Sequence, residues 1–374
     1  MLASSKMSAS IWFETISADD RVLLETSDPA PKISDVLILG AGNIGLATAW
    51  YLTQAGVSGI CVLDSQAPLA GASGANAGGL WFAQQSPELG PLTPLAKVSS
   101  RLYSELPEAL GADFDLRRDG LLELLSGPTD CVAAVQAAGF RAERVSPNDL
   151  EPALSPWPAG AVYYPDEGQL NPVKLGVAFL RRLRERGVRM VIRKNKANFS
   201  WPQAGVTVIT SGAWTPQLTA ALGWTPPIKP LRGQLLATPP LPPGAIRHTL
   251  LGPRFYYWQL VQGPIAGGGT VEDVGFTPGT NPDDLASIRA EMNSLFPALA
   301  SVPTACAWSG FRPYCEDLKP VIGRIPGHDR IYVAAGHFKK GTMLAPVTGK
   351  ILADLITVGR TDLPIAPCDP ARFL

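Results

Sequence analysis

Two features of this chain have the residue types and spacing for chemistry: the run Gly40-Ala41-Gly42-Asn43-Ile44-Gly45, and the carboxylate of Asp64, 19 positions beyond Gly45. Gly40 permits a tight turn, Gly42 lets the backbone approach a pyrophosphate, and Gly45 lets a helix lie close against a sheet. Such a helix offers unpaired N–H groups and the positive end of its dipole to phosphate oxygens. Asp64 stands near the roughly 20-residue spacing of the carboxylate that accepts from a ribose hydroxyl, and its charge disfavours a 2′-phosphate. A dinucleotide is expected, NADP least of all; the fingerprint by itself leaves NAD and FAD open.

Two further segments bear on the ligand. Gly71 to Leu80 is almost free of side-chain bulk, so backbone can approach a ligand over a long arc, with Ser73 and Asn76 as polar handles. Ala334 to Pro346 contains a Gly-bounded turn, Gly336-His337-Phe338-Lys339-Lys340-Gly341, followed by Thr342 and Met343 in a helix whose first N–H groups can stabilise negative charge. Arg312 follows Trp308-Ser309-Gly310-Phe311 at an apparent strand end. Its guanidinium could receive a carboxylate through two parallel hydrogen bonds, or pair with Asp317.

The elements that must position these groups follow from periodicity and punctuation. Val36 to Leu39 reads as a buried strand, an amphipathic helix follows Gly45, and a second strand closes on Asp64. Residues 93–110 carry a helical pattern and 119–126 a strand or hairpin. Asn171 and Pro172 cap a helix running through Arg186, stopped by Gly187. Val188–Ile192, Thr207–Thr210 and Leu231–Thr238 read as strands, the last bracketed by proline clusters. Residues 254–276 suggest antiparallel strands, 282–296 a helix, and Ile331–Ala335 a strand leading into a helix that ends near Ile356.

This order predicts an α/β fold whose second domain is α+β: a Rossmann-like dinucleotide domain interrupted by a mixed, largely antiparallel sheet. The expected boundaries are an N-terminal extension at 1–34, a dinucleotide domain at 35–92, 145–224 and 318–374, and a substrate domain at 93–144 and 225–317. A length of 374 residues suits two lobes.

Composition excludes several classes. Lys plus Arg and Asp plus Glu are both 32, so no excess positive charge is available for a nucleic-acid backbone or an anionic membrane. Five dispersed cysteines without a CxxC pair suggest a reducing, cytoplasmic compartment with no disulfide framework, and His248, His328 and His337 offer little for a metal site. No GxSxG elbow supports a serine hydrolase. No apolar run approaches a membrane span. Glu14, Asp19, Asp20 and Glu25 argue against a transit peptide, leaving a flexible or surface-packed extension.

Together these segments resemble the FAD-dependent glycine/D-amino-acid oxidase family. The matching residues are the N-terminal fingerprint, Ala77-Gly78-Gly79-Leu80, Ser211-Gly212-Ala213-Trp214, Leu231-Arg232-Gly233-Gln234, Gly268 to Phe276, Gly310-Phe311-Arg312-Pro313 with Asp317, Pro320 and Gly323, and Gly336 to Pro346. The likeness covers about residue 35 to the end and is greatest to glycine oxidases and to the flavin subunits of hydrogen cyanide synthase and opine oxidases.

The resemblance implies non-covalent FAD held by Gly40, Gly42, Asn43, Ile44, Gly45, Asp64, Ser65, Ser73, Asn76, Ala77, Gly78, Gly79, Leu80, Gly212 and Trp214, with Gly336, Lys339, Gly341, Thr342 and Met343 near the flavin ring. It implies Arg312 as the carboxylate-binding residue and Tyr256 as an active-site tyrosine, with Tyr257 on the opposite face of its strand. His337 reads as a structural turn residue, and Cys315 as a variable position rather than a flavin attachment point. The implied reaction oxidises the C–N bond of a small amino acid or N-substituted amino acid, glycine, sarcosine or a D-amino acid among them, with O2 or another electron acceptor. A homo-oligomer, a partner subunit of a multi-subunit dehydrogenase, and a non-catalytic electron-relay subunit stay open. Two departures stand out: Lys339 replaces the family's usual Arg, giving a point charge for a bidentate fork, and Gly187 to Gly212 is shorter than the family norm.

Overall fold

The computed structural model describes residues 10–128, 130–193 and 202–374. Its first strand, Ile33–Leu39, is buried along its second half and pairs in parallel with Ile60–Asp64 on one side and Gln203–Ile209 on the other. Continuous apolar sequence suits a strand covered on both faces. The six-stranded sheet built on it runs Val321–Arg324, Ile331–Ala335, Gln203–Ile209, Ile33–Leu39, Ile60–Asp64, Arg189–Ile192, with only the first pair antiparallel.

Helix Asn43–Gln54 crosses from the first strand to the second and packs on the C-terminal helix Gly341–Thr357. Gly349 makes that crossing close, since a Cβ there would stand 2.6 Å from the Ala47 carbonyl carbon. Helix Pro172–Glu185 starts where expected: the Asn171 side chain accepts from the N–H groups of Val173 and Lys174 at 3.1 and 3.0 Å.

The second sheet has eight strands in the order Cys306–Cys315, Ile228–Pro240, Pro264–Gly268, Tyr256–Gln259, Thr249–Leu251, Leu121–Leu124, Ala161–Tyr164, Glu143–Val145, antiparallel except where Thr249–Leu251 meets Leu121–Leu124. Residues 269–276, read as strand, add only an isolated bridge between Arg232 and Glu272. Two expected boundaries move. Ala161–Tyr164 hydrogen-bonds into the eight-stranded sheet, although 145–224 was assigned to the dinucleotide half. Helix Thr93–Leu110, assigned to the substrate half, joins the dinucleotide side: Ser99 Oγ and Tyr103 Oη donate to the carbonyls of Met343 and Thr342 at 2.6 and 2.5 Å.

The extension differs from expectation in depth. Ile11, Trp12 and Ile16 are buried in the main core. The Ser10 hydroxyl donates to the Gly74 carbonyl, and Trp12 stacks on Trp258 with centroids 6.3 Å apart. Ser17 caps the helix Ala18–Glu25 by accepting from the Asp20 N–H. Apolar residues at 11, 12 and 16, interleaved with polar ones, anchor the segment where the acidic residues alone suggested solvent.

Candidate active site

Gly40 has φ +119°, and a Cβ there would strike the Thr210 carbonyl. The turn it makes carries the chain from the first strand into helix Asn43–Gln54. Asp64 braces this turn: Oδ2 accepts from the Ala41 N–H at 2.8 Å and Oδ1 from the Gln66 N–H at 3.0 Å. Ser73 Oγ accepts from the Asn43 N–H at 2.9 Å, at the helix N-terminus.

Asn76 ties the small-residue run to the C-terminal helix. Its Oδ1 accepts from the Gly78 N–H at 2.7 Å and the Thr342 hydroxyl at 3.0 Å, while Nδ2 donates to the carbonyls of Ser73 and Ala72. The two segments, 266 positions apart, thus form one wall.

A cavity of about 550 Å³ runs along this wall. Of the residues expected from sequence, Gly40, Gly42, Asn43, Ile44, Asp64, Ser65, Ser73, Asn76, Ala77, Gly78, Gly79, Gly212, Trp214, Tyr256, Arg312, Lys339, Gly341, Thr342 and Met343 line it. Three do not. Gly45 lies under the turn, where a Cβ would collide with the Gly40 carbonyl; its task is close packing. Leu80 is wholly buried and points into the core. Gly336 shapes the turn with φ +74°, packed against Cys315 and Ile228.

The lining also includes Trp81, Gln85, Thr210, Gly233 and Phe311, which sequence patterns did not single out as ligand contacts. Gly233 lay within a matched segment, but Trp81 and Gln85 carry no local signal. Trp81 packs edge-on against Tyr256 at 5.0 Å. Tyr257, on the other face, is buried and donates to the Ile288 carbonyl at 3.1 Å.

Arg312 makes no ion pair among the described residues; Nη1 donates to the Thr270 carbonyl at 2.7 Å. The alternative partner Asp317 is engaged by Arg372 at 2.8 Å and by the Lys319 N–H at 3.1 Å. Lys339, in the 3-10 turn Phe338–Lys340 just after the bridge between Tyr314 and His337, lines the same cavity as Arg312. Desolvation, and after it the charge of Arg312, hold the Lys339 ammonium below its ordinary value.

His337 is no base. Burial pushes its pKa down to about 3, and Nε2 lies 3.1 Å from the Thr348 hydroxyl, so the neutral ring fastens the turn to the helix. The Cys315 thiol, pushed up to about 12 by burial, lies outside the lining. Of the stretch from Gly187 to Gly212, expected to be shorter than the family norm, residues 194–201 lie outside the described residues.

The residues present fit a dinucleotide flavin. Gly40, Gly42 and Gly78 pack their backbone against Thr210, Ser73 and Leu170 where a Cβ would not fit, which holds bare backbone along the cavity. Asn43 Oδ1, Trp81 Nε1 and Gln85 Oε1 are buried polar atoms with no hydrogen-bond partner among the described residues. Buried groups of this kind are ordinarily satisfied, so a ligand with donors and acceptors along its length suits the cavity.

Residues 35–355 match the family model described as DAO, FAD dependent oxidoreductase. The chain is 29% identical to the hydrogen cyanide synthase subunit HcnC of Pseudomonas aeruginosa, over 91% of this chain and 96% of that protein. It is 29% identical to the glycine oxidase of Geobacillus kaustophilus, over 91% of this chain and 97% of that one. The crystal structure of that Geobacillus glycine oxidase superposes with a TM-score of 0.83 at 26% identity, covering 91% of this chain and 99% of the other.

Proposed function

The chain belongs to the DAO family of FAD-dependent oxidoreductases, and from that premise we propose that it oxidises the C–N bond of a small amino acid or N-substituted amino acid. One observation carries the substrate side: a cavity-lining guanidinium, Arg312, without an ion-pair partner among the described residues. A buried or half-buried cation of this kind suits a ligand carboxylate.

Gly40, Gly42, Ser73, Asn76 and Gly78 would hold the adenosine and pyrophosphate side of the cofactor, with Asp64 toward the ribose. Lys339, Gly341, Thr342 and Met343 would border the flavin ring. Bound FAD supplies a two-electron acceptor: hydride leaves the carbon beside nitrogen, the nitrogen loses a proton, and the resulting imine takes up water to give an oxo acid and an amine or ammonia.

The protein's own part is orientation and electrostatics. Arg312 keeps one nitrogen on the Thr270 carbonyl, which fixes the fork, and turns the others to the substrate carboxylate. The Tyr256 hydroxyl donates to the same carboxylate. Trp81 and Phe311 supply apolar walls that limit water. His337, neutral and fastened to Thr348, supplies no base, so the reaction calls for the amine to bind in its neutral form. The N-terminus of helix Gly341–Thr357 favours the negative charge that accompanies reduction.

Arg312→Ala tests this reading. Loss of a charge-assisted pair worth roughly 1.5–3 kcal/mol should raise the substrate KM by about 10- to 100-fold, while the protein stays yellow. Unchanged kinetics would remove Arg312 from the substrate site. Because HcnC is named as a subunit, a flavin subunit of a multi-subunit dehydrogenase is the second reading. Copurification of a partner, with electron transfer to a quinone or dye outpacing that to O2, would favour it.

A further inference from the structure

Arg312 and Lys339 bring two positive charges to one end of the cavity, and neither makes an ion pair among the described residues. The one acidic side chain lining the cavity among the described residues is Asp64. Its oxygens accept from the N–H groups of Ala41 and Gln66, beside the turn after the first strand, and it forms no ion pair with Arg312 or Lys339 among the described residues. Glu88 acts on Lys339 only at a distance and is itself exposed. Both cations line the one cavity, close enough for the charge of Arg312 to act on the Lys339 ammonium. Like charges held together in a partly desolvated pocket are costly unless an anion joins them. One carboxylate neutralises half of this charge.

The same cavity contains an unpaired donor, Trp81 Nε1, and an unpaired acceptor, Gln85 Oε1, both buried. A substrate with one carboxylate and one amine leaves one of the two cations without an anion. A substrate with two carboxylates and an amine N–H engages both cations, and leaves the amine for an acceptor such as Gln85.

We infer that the substrate is a dicarboxylic amino acid, with one carboxylate on Arg312 and the second on Lys339. This rests on the proposal that the enzyme oxidises a C–N bond. The second carboxylate lies either across the nitrogen, as in an iminodicarboxylate, or on the side chain, as in an aminodicarboxylate. Lys339 is the specificity-determining residue in both cases. Its ammonium, a compact charge on a flexible stem, reaches a second carboxylate without the fixed fork of an arginine.

The test is anaerobic reduction of the purified yellow holoenzyme by iminodiacetate, D-aspartate, sarcosine and glycine, followed at the flavin absorbance band. One of the two dicarboxylates is expected to show kcat/KM about 10-fold or more above both monocarboxylates, and which one tells where the second carboxylate lies. Lys339→Gln should then lower kcat/KM for that dicarboxylate by about 10-fold more than for sarcosine, with Lys339→Arg restoring part of the difference. Equal losses for both substrates would assign Lys339 to the flavin or to a shared carboxylate, and overturn the inference. Sarcosine or glycine as the better substrate would overturn it too, while leaving C–N oxidation standing. Failure of all four amines to bleach the flavin would count against the C–N oxidation reading itself, and the inference would fall with it. The visible spectrum of each variant shows that the cofactor is bound.

Discussion

The Trp12 indole donates its Nε1–H to the backbone carbonyl of Asn76 at 2.7 Å, joining the N-terminal segment to the loop that borders the cofactor cavity. The family match begins at residue 35, so this contact comes from a part of the chain outside it. Asn76 in turn holds Thr342 and Gly78, and Trp12 therefore acts on the cavity wall through one carbonyl. Trp12→Phe keeps the aromatic bulk against Trp258 and removes the hydrogen bond. At a net value of about 1 kcal/mol, the FAD dissociation constant should rise about 5-fold, read from the fluorescence of released flavin. A variant that releases FAD like the wild type would show that the contact serves stability alone.

Gly233 lies so close to the Arg312 guanidinium that a Cβ there would overlap it. Gly233→Ala leaves the charge in place but displaces the fork from its bond to the Thr270 carbonyl. A misplaced anchor should raise KM about 10-fold with less effect on FAD content. Steady-state kinetics beside an absorbance spectrum checks both halves of that expectation.

Substrate binding should also depend on alkaline pH. The folded-state pKa of Lys339 lies below its ordinary 10.5, through desolvation and then Arg312. Its positive charge is present at low pH and is lost as pH rises through that depressed value, so KM should climb before the ordinary lysine range is reached. Lys339→Arg removes the step from the accessible range, and a pH profile of kcat/KM for both proteins decides it.

Glu167 gives a stability prediction remote from substrate. Its Oε1 accepts from the Ala83 N–H at 2.9 Å and its Oε2 is buried without a partner among the described residues. Burial raises the carboxyl to about 8, with the Ala83 hydrogen bond and the charge of Arg118 acting in the opposite sense. The folded protein thus retains a proton that the unfolded chain releases near 4.5. Stability is full below that lower value and falls as pH rises toward about 8. Glu167→Gln keeps an acceptor for Ala83 and should flatten this slope, as seen by comparing urea midpoints at about pH 5 and about pH 8.

The sequence by itself determined what local steric and polar rules govern. Glycine at 40 and 42 marks a turn that backbone geometry requires, Asn171 and Pro172 mark a helix start, and strand alternation separates Tyr256 from Tyr257. Those rules act within a few residues, so they are legible without a partner. Only the tertiary structure decided which distant groups meet. Arg372, from the C-terminal turn, occupies Asp317 and so leaves Arg312 to the cavity. Trp81 and Gln85 gain their place because chain folding sets them on the cavity, Trp81 against Tyr256, and not because of any motif. Trp12 reaches Asn76 for the same reason: burial of an apolar segment is a property of the assembled core, and a hydrogen bond across 64 positions has no signature in the spacing of its two residues.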